Sequence, residues 1–169
     1  VFCGSRPGAS GDFLVAAKHL GEQLARRGLG LVYGGASIGL MGAVADAALA
    51  HGGEVIGVIP TGLAAKEIAH PSLTQLHIVA SMHERKAMRE KLSDGVIALP
   101  GGLGTFEEIL EMLTWSQLGL HRKPAGFLNV AGFYDPLLQQ FQQARDLGFI
   151  PPDRPPLIVS ESNADALLD

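Results

Sequence analysis

The sequence has 169 residues, of which 47% are hydrophobic, and a formal net charge of −4. This length suits one domain with a full core, and no apolar stretch reaches the roughly 20 residues that a membrane span needs. The acidic balance argues against a nucleic-acid-binding protein, so we expect neither nucleic acid nor a membrane as a partner. Cys3 is the only cysteine, which excludes an intramolecular disulfide and fits a reducing, cytoplasmic compartment. The histidines are scattered outside the spacings of metal-binding motifs, so no metal site is expected.

Short apolar segments alternate with helical patterns from one end of the sequence to the other. The predicted strands cover residues 1–4, 29–35, 54–60, 76–80, 95–100, 125–130 and 156–160. The predicted helices cover residues 11–27, 39–51, a charged segment from about Ser81, 105–118 and 134–147. The stretch between the third and fourth strands is predicted to be irregular. The proline-rich residues 150–156 are predicted to form a turn and not a domain boundary.

This alternation of strands and helices is typical of βαβ units around a parallel sheet. Right-handed crossovers between parallel strands place helices on both faces of such a sheet. We therefore predict an α/β fold. It is a Rossmann-like, doubly wound parallel sheet with helices on both faces, in a single domain that covers residues 1–169.

Four unusual loops follow predicted strands, at residues 4–8, 34–42, 81–86 and 100–105. In a parallel sheet these loops share the carboxyl edge, where ligands of open α/β sheets bind. The glycines could merely allow close packing of helices on the sheet. Two glycine-rich loops that each open a helix favour an anion site instead, because backbone N–H groups and the helix dipole attract negative charge. Neither loop has the dinucleotide or Walker spacing, which disfavours a hydride-transfer enzyme and an ATPase.

Charged residues are concentrated in "HERKAMREK", at residues 83–91. Arg85 and Lys86 fall in the first helical turn, where a cation is unfavourable, so a bound anion or a carboxylate is expected nearby. Arg89 is interpreted as part of a solvated helix face. Glu84 and Glu108 each end a Ser/Thr-x-x-Glu pattern, so each could close a capping box. Because neighbouring loops bring both acids to one edge, a functional pair is the alternative.

Two motifs together, "SMHERKAMR" and "LPGGLGTFEE", resemble the paired signature of the Lonely guy family of cytokinin-activating phosphoribohydrolases, formerly mislabelled lysine decarboxylases. The likeness extends along nearly the whole chain. Its other segments are "VFCGSRPG", "LVYGGASIGLMG", "VIGVIP", "KEIAHPSLTQLHIV" and "GFYDPLL". Ala36 departs from the pattern, since many members have a third glycine there. Arg6 falls at a variable place and is given no role.

The resemblance implies hydrolysis of the N-glycosidic bond of an adenine nucleoside 5′-monophosphate, most characteristically an N6-prenylated one. By position, Arg85 and Glu108 are the implied catalytic pair. The implied substrate-binding residues are Ser5, Gly34, Gly35, Met82, Glu84, Lys86, Gly101, Gly102, Gly104 and Thr105. Gly101 to Thr105 would hold the 5′-phosphate, Glu84 the ribose hydroxyls, and Met82 the base. The family acts as dimers, which implies a homodimer, and needs no cofactor.

The implied chemistry agrees with the residue types. Cleavage of a glycosidic bond builds positive charge on the ribose. Glu108 could stabilise this charge and activate water, while Arg85 holds the substrate and keeps the carboxylate aimed, with Lys86 as a second cation. Glu107 is interpreted as solvated. One alternative is an AMP nucleosidase with little cytokinin preference. Another is a non-catalytic nucleotide or cofactor binder related to molybdenum-cofactor carriers, although the presence of both Arg85 and Glu108 weighs against it.

Overall fold

The computed structural model describes residues 1–67, 69–151 and 158–169. Its strands are β1 (Leu31–Tyr33), β2 (Val55–Pro60), β3 (Gln75–Val79), β4 (Val96–Ala98), β5 (Ala125–Leu128) and β6 (Val159–Glu161). Its α-helices are α1 (Gly11–Arg26), α2 (Gly39–Ala50), α3 (Thr61–Glu67), α4 (Met82–Leu92), α5 (Leu103–Gln117), α6 (Asp135–Asp146) and α7 (Ala164–Leu168). A short 3-10 helix, Val130–Gly132, precedes α6.

The strands form two parallel three-stranded sheets, in the orders β1-β2-β3 and β4-β5-β6. Residues 1–4 lie between these sheets. Phe2 forms a parallel bridge with Ala98 of β4, and the backbone nitrogen of Val1 donates to the carbonyl of Val32 in β1 at 2.6 Å. Strands β1, β2 and β3 therefore follow one another on one side of residues 1–4, and strands β4, β5 and β6 follow one another on the other side. This change of direction creates a switch point between residues 1–4 and β4, where open α/β sheets bind ligands.

Two apolar cores lie on opposite faces of the strands. In β4 and the residue after it, Ile97 and Leu99 pack with the core beneath α1 and α2, whereas Val96 and Ala98 pack with the core beneath α5. This division follows from the two-residue period of a strand. The predicted α/β fold with parallel strands and helices on both faces is confirmed.

Helices α1 and α2 approach each other closely at Gly21. A Cβ atom on Gly21 would lie 2.3 Å from the carbonyl oxygen of Val44, so a larger residue would push the helices apart. Buried alanines of α2, such as Ala45 and Ala48, complete this contact. Among the helices of the described residues, none combines the length and apolar character that a membrane crossing requires.

The structure corrects several predicted element boundaries. The stretch predicted to be irregular contains α3, and α7 was not predicted. Both helices are short, seven and five residues, and such lengths are too short to show a 3.6-residue apolar period. Only Phe2 of the predicted strand 1–4 forms a ladder bridge. The last strand is described from Val159, while the start of the predicted strand at residue 156 and most of the predicted turn lie outside the described residues.

Candidate active site

A cleft of about 780 Å³ opens at the switch point of the sheet. Its walls come from the loop at residues 4–8, from the ends of β1 and β4, and from the first turns of α2, α4 and α5. Phe13, Leu63 and Phe133 complete the lining. The volume is in the range of roughly 300–1,000 Å³ that is typical of small-molecule sites. The carboxyl edge predicted from the loop positions is therefore where this cleft lies.

Two glycines that line the cleft, Gly34 and Gly101, and one beside it, Gly39, pack closely against neighbouring atoms. A Cβ atom on Gly39, whose φ is +59°, would lie 2.3 Å from the carbonyl carbon of Ser5. A Cβ atom on Gly34 would meet the Arg85 guanidinium at 2.6 Å, and one on Gly101 would meet Thr105 Oγ1 at 2.1 Å. Gly102 and Gly104 differ, because a Cβ atom on either would have no neighbour within 4 Å. These two glycines leave open space at the start of α5.

Helices α2 and α5 begin at the cleft without a side-chain cap. Their N-cap residues, Ile38 and Gly102, accept no capping hydrogen bond with a side chain. In contrast, α1, α4 and α7 are capped by Ser10, Ser81 and Asn163. The first N–H groups of a helix have no partner within the helix. An uncapped start that faces a cleft is therefore suited to an anion.

Arg85 lies beneath the cleft with only 5% of its surface exposed. Its Nε donates to the carbonyl of Val58 at 2.9 Å, and Nη2 donates to the carbonyl of Gly34 at 2.8 Å. These carbonyls belong to β2 and to the residue after β1, so the guanidinium is fixed across the ends of two strands. A buried arginine held by two backbone carbonyls has little freedom to turn away from the cleft.

Glu108 is held by Arg89. Nη1 of Arg89 donates to Oε1 of Glu108 at 2.5 Å, and Nη2 donates to the carbonyl of Val1 at 2.9 Å. The guanidinium also lies 4.6 Å from the centre of the Phe2 ring. The side chains of Arg89 and Glu108 are 5% and 13% exposed. The interpretation of Arg89 as part of a solvated face is wrong, because α4 turns this residue toward residues 1–4.

Comparisons with known proteins agree on one family. A family model described as "Possible lysine decarboxylase" matches residues 41–169. The chain is 53% identical over 168 residues to "Probable cytokinin riboside 5'-monophosphate phosphoribohydrolase LOGL1" of Oryza sativa subsp. japonica, covering 99% of this chain and 75% of that protein. It is 49% identical to "Cytokinin riboside 5'-monophosphate phosphoribohydrolase LOG2" of Arabidopsis thaliana, covering 99% and 79%. The chain belongs to the Lonely guy family.

A solved structure supports the fold. The Moco carrier protein from Chlamydomonas reinhardtii superposes with a TM-score of 0.70 over 98% of this chain and 89% of that chain. The two sequences are 22% identical, so the likeness concerns the architecture alone. The Lonely guy chain and the carrier protein thus share one arrangement of strands and helices.

The structure brings most of the residues singled out by the Lonely guy resemblance to one cleft. The residues that line it are Ser5, Gly34, Met82, Arg85, Gly101, Gly102, Gly104, Thr105 and Glu108. Gly35, Glu84 and Lys86 do not line it. Gly35 has a φ of +82° and turns toward β2, where its Cβ position lies 3.4 Å from Ile59. The substrate contacts expected for these three residues stay predictions, since the residues lie outside the cleft lining.

Glu84 is occupied at the start of α4. Its backbone N–H donates to Ser81 Oγ at 3.2 Å, and its carboxylate accepts from the backbone N–H of Ala80 at 2.8 Å. This reciprocal arrangement is of the capping-box type, which supports the structural alternative for Glu84. The same interpretation is wrong for Glu108, because α5 begins two residues before Thr105, after its N-cap Gly102.

Lys86 points toward α5 instead of the cleft. Its Nζ donates to Glu107 at 2.7 Å and to Glu111 at 2.8 Å. Both hydrogen bonds raise the pKa of Lys86, and the bond with Glu107 has the larger effect. The charge expected to assist at the substrate is thus compensated by two carboxylates. Glu107 was interpreted as solvated, and it is half exposed but paired.

Several lining residues were not singled out as site residues from the sequence. Phe133 reaches the cleft from the segment before α6, and Phe13 from α1. Their rings pack edge to face with centroids 6.3 Å apart, a contact that only tertiary structure creates. Arg6 also lines the cleft, from the loop at residues 4–8. No group of three or more His, Cys, Asp or Glu side chains suited to a metal occurs within residues 1–67, 69–151 and 158–169.

Proposed function

We propose that this chain hydrolyses the N-glycosidic bond of N6-prenylated adenosine 5′-monophosphates, releasing the free cytokinin base and ribose 5-phosphate. The observation that carries the proposal is a carboxylate, Glu108, in the same cleft as an uncapped helix start. Relatives named as phosphoribohydrolases, about half identical over nearly the whole chain, support it. In this proposal Arg85 and Glu108 are the catalytic pair.

The start of α5 would bind the 5′-phosphate. Gly102 and Gly104 leave open space beside the first N–H groups of the helix. Thr105 is 4% exposed and lines the cleft, so its hydroxyl could add a further hydrogen bond. Uncapped N–H groups and the helix dipole favour a phosphate at this point. Gly101 would contribute by allowing Thr105 its position.

Glu108 would act at the ribose carbon. Hydrolysis adds the hydroxyl of water to C1′ and leaves the electron pair of the broken bond on the base nitrogen, which takes up a proton. The ribose carries positive charge in the transition state. A fixed carboxylate can stabilise that charge and orient or deprotonate the attacking water. Arg85, fixed beneath the same cleft, would hold the substrate against Glu108.

Apolar side chains would receive the prenylated base. Met41, Leu40, Leu63 and Met82 line the cleft together, and Met82 is 41% exposed. An apolar N6 substituent gains about 0.8 kcal/mol for each CH₂ group that it buries. This gain supports prenylated AMP over plain AMP as the preferred substrate.

A substrate panel tests the proposal. We expect release of free base from isopentenyl-AMP to be faster than from AMP, and to be undetectable from the unphosphorylated riboside. Chromatography of the base and an assay for ribose 5-phosphate measure the two products. Equal rates with the monophosphate and the riboside would remove the phosphate site. Absence of base release from every monophosphate would leave the non-catalytic binder. Equal rates with AMP and isopentenyl-AMP would favour the AMP nucleosidase.

We also propose that residues 1–169 act as one nucleotide-binding hydrolase domain in a cytoplasmic homodimer. Family membership supports the dimer, because the Lonely guy family works in that state. Sedimentation equilibrium across a range of protein concentrations measures the mass of the particle. A monomer at micromolar concentrations with full activity would reject the dimer as the working form.

A further inference from the structure

We propose that Arg6 binds the 5′-phosphate of the substrate and selects phosphorylated over unphosphorylated nucleosides. This inference rests on the proposed hydrolysis for its substrate. A phosphate monoester carries close to two negative charges at neutral pH, while a helix start offers only about half a positive charge. A full cation at the cleft is therefore expected.

Of the other basic residues around the cleft, two are paired with carboxylates and the third is held on backbone carbonyls. Lys86 is bound by Glu107 and Glu111, and Arg89 is bound by Glu108. Arg85 is buried, with Nε and Nη2 on two backbone carbonyls. Arg6 is exposed and lines the cleft. It makes no hydrogen bond or ion pair with any residue that the structure describes.

The loop that carries Arg6 is fixed on both sides. The carbonyl of Gly4 accepts from Leu40 N–H in the first turn of α2 at 3.1 Å, and Gly4 N–H donates to the carbonyl of Pro100 at 3.2 Å. The close approach of Gly39 to the Ser5 carbonyl locks the same loop. These contacts hold the loop that carries Arg6 between the start of α2 and the residues before α5.

This position is electrostatically unfavourable for a lone cation. The starts of α2 and α5 both carry partial positive charge, and neither has a side-chain cap. An anion in the cleft would relieve the repulsion and could bind the N–H groups at the start of α5 together with the guanidinium, whereas at the start of α2 the Leu40 N–H already donates to the Gly4 carbonyl. Arginine suits this task, because its planar fork binds phosphate oxygens in pairs.

The test compares three variants with the wild type. Arg6→Gln removes the charge, Arg6→Lys keeps it without the fork, and Arg122→Gln removes an exposed arginine outside the cleft lining. Loss of one charged contact should raise KM for isopentenyl-AMP about tenfold or more, with kcat within about threefold. The inhibition constant of ribose 5-phosphate should rise by the same factor. Arg6→Lys should recover part of the loss, and Arg122→Gln should match the wild type.

Calorimetric titration with ribose 5-phosphate separates this inference from the proposed hydrolysis. If the wild type releases no base but binds ribose 5-phosphate more tightly than Arg6→Gln does, hydrolysis fails and the role of Arg6 stands. If Arg6→Gln leaves KM and the affinity for ribose 5-phosphate unchanged, Arg6 does not bind the phosphate. A fall in kcat alone, with unchanged KM, overturns the assignment equally, because ground-state binding would then be intact.

Discussion

At the scale of single residues, two adjacent acids have opposite surroundings. Both acids line the cleft, but Glu108 is nearly buried and hydrogen-bonded to Arg89, whereas Glu107 is 53% exposed and paired with Lys86. A buried carboxylate with a fixed partner keeps one position, which is what a group facing a reacting carbon needs. Ion pairs near the surface contribute little to stability, and the Glu107 side of this pair is open to solvent. We therefore assign different roles to the two acids.

Substitution of these acids by glutamine provides a matched test. Glu108→Gln keeps the size of the side chain and can still accept from Arg89, but it removes the charge that would stabilise the transition state. We expect the protein to fold, with a stability loss of about 1–3 kcal/mol, and kcat to fall by about 100-fold or more. Glu107→Gln should retain kcat. Steady-state kinetics and thermal melts measure both, and normal turnover of Glu108→Gln would eliminate it as a catalytic residue.

The limits of sequence-based prediction are visible at Glu84 and Glu108. Both end the same Ser/Thr-x-x-Glu pattern, yet only Glu84 occupies a capping arrangement. The outcome depends on where each helix begins. The Ser/Thr-x-x-Glu pattern does not fix that residue to within one or two positions. Arg89 was misassigned for a related reason. Its partners, Glu108 and the carbonyl of Val1, come from distant parts of the chain.

At the scale of elements, the start of α5 combines glycine with open space. Glycine weakens a helix, so Gly104 is unfavourable there unless something needs the room that it leaves. A Cβ atom would have no neighbour within 4 Å, and the residue lines the cleft. No close packing among the described residues requires glycine at position 104, although glycine destabilises the helix. This supports a ligand in the space beside Gly104.

Gly104→Ala should separate stability from activity. The added methyl group favours the helix, so we expect thermal stability to be unchanged or higher by up to about 1 kcal/mol. The same methyl group would occupy space at the proposed phosphate site, so KM for the monophosphate should rise several-fold. Gly11→Ala is the control, because Gly11 also begins a helix and has open space, but outside the cleft. If Gly104→Ala kept a normal KM, the phosphate would have to bind elsewhere.

The order of elements could be predicted because each long helix and apolar strand shows its own period. The carboxyl edge followed from topology alone, since loops after parallel strands must share it. The short α3 and α7 could not be recognised, and neither could the pairing of α4 with residues 1–4. Such contacts depend on how elements pack and not on their own sequences. The positions of Phe13 and Phe133 in the cleft lining could not be predicted either, because they too depend on how the elements pack.

At the scale of the whole molecule, the central strands connect the two cores. Val1 and Cys3 pack with the core beneath α1 and α2, whereas Phe2 packs with the core beneath α5. Strands β4 and β5 contribute to both cores in the same way. Loss of either core would therefore remove support from the other face of the same strands. The cleft depends on this connection, because its loops start from these strands.

A mutation in one core should therefore be detected in the other. Leu20 of α1 is fully buried, and Leu20→Ala should destabilise the protein by about 2–5 kcal/mol. Trp115, the only tryptophan, packs against the opposite core. If residues 1–169 unfold as one domain, the denaturation midpoint from Trp115 fluorescence should fall as far as the midpoint from circular dichroism.

The control is Val15→Ala, at a 67% exposed position on α1, which should shift neither midpoint. A Trp115 midpoint unaffected by Leu20→Ala would mean that the two cores unfold independently, and the single-domain prediction would then be wrong.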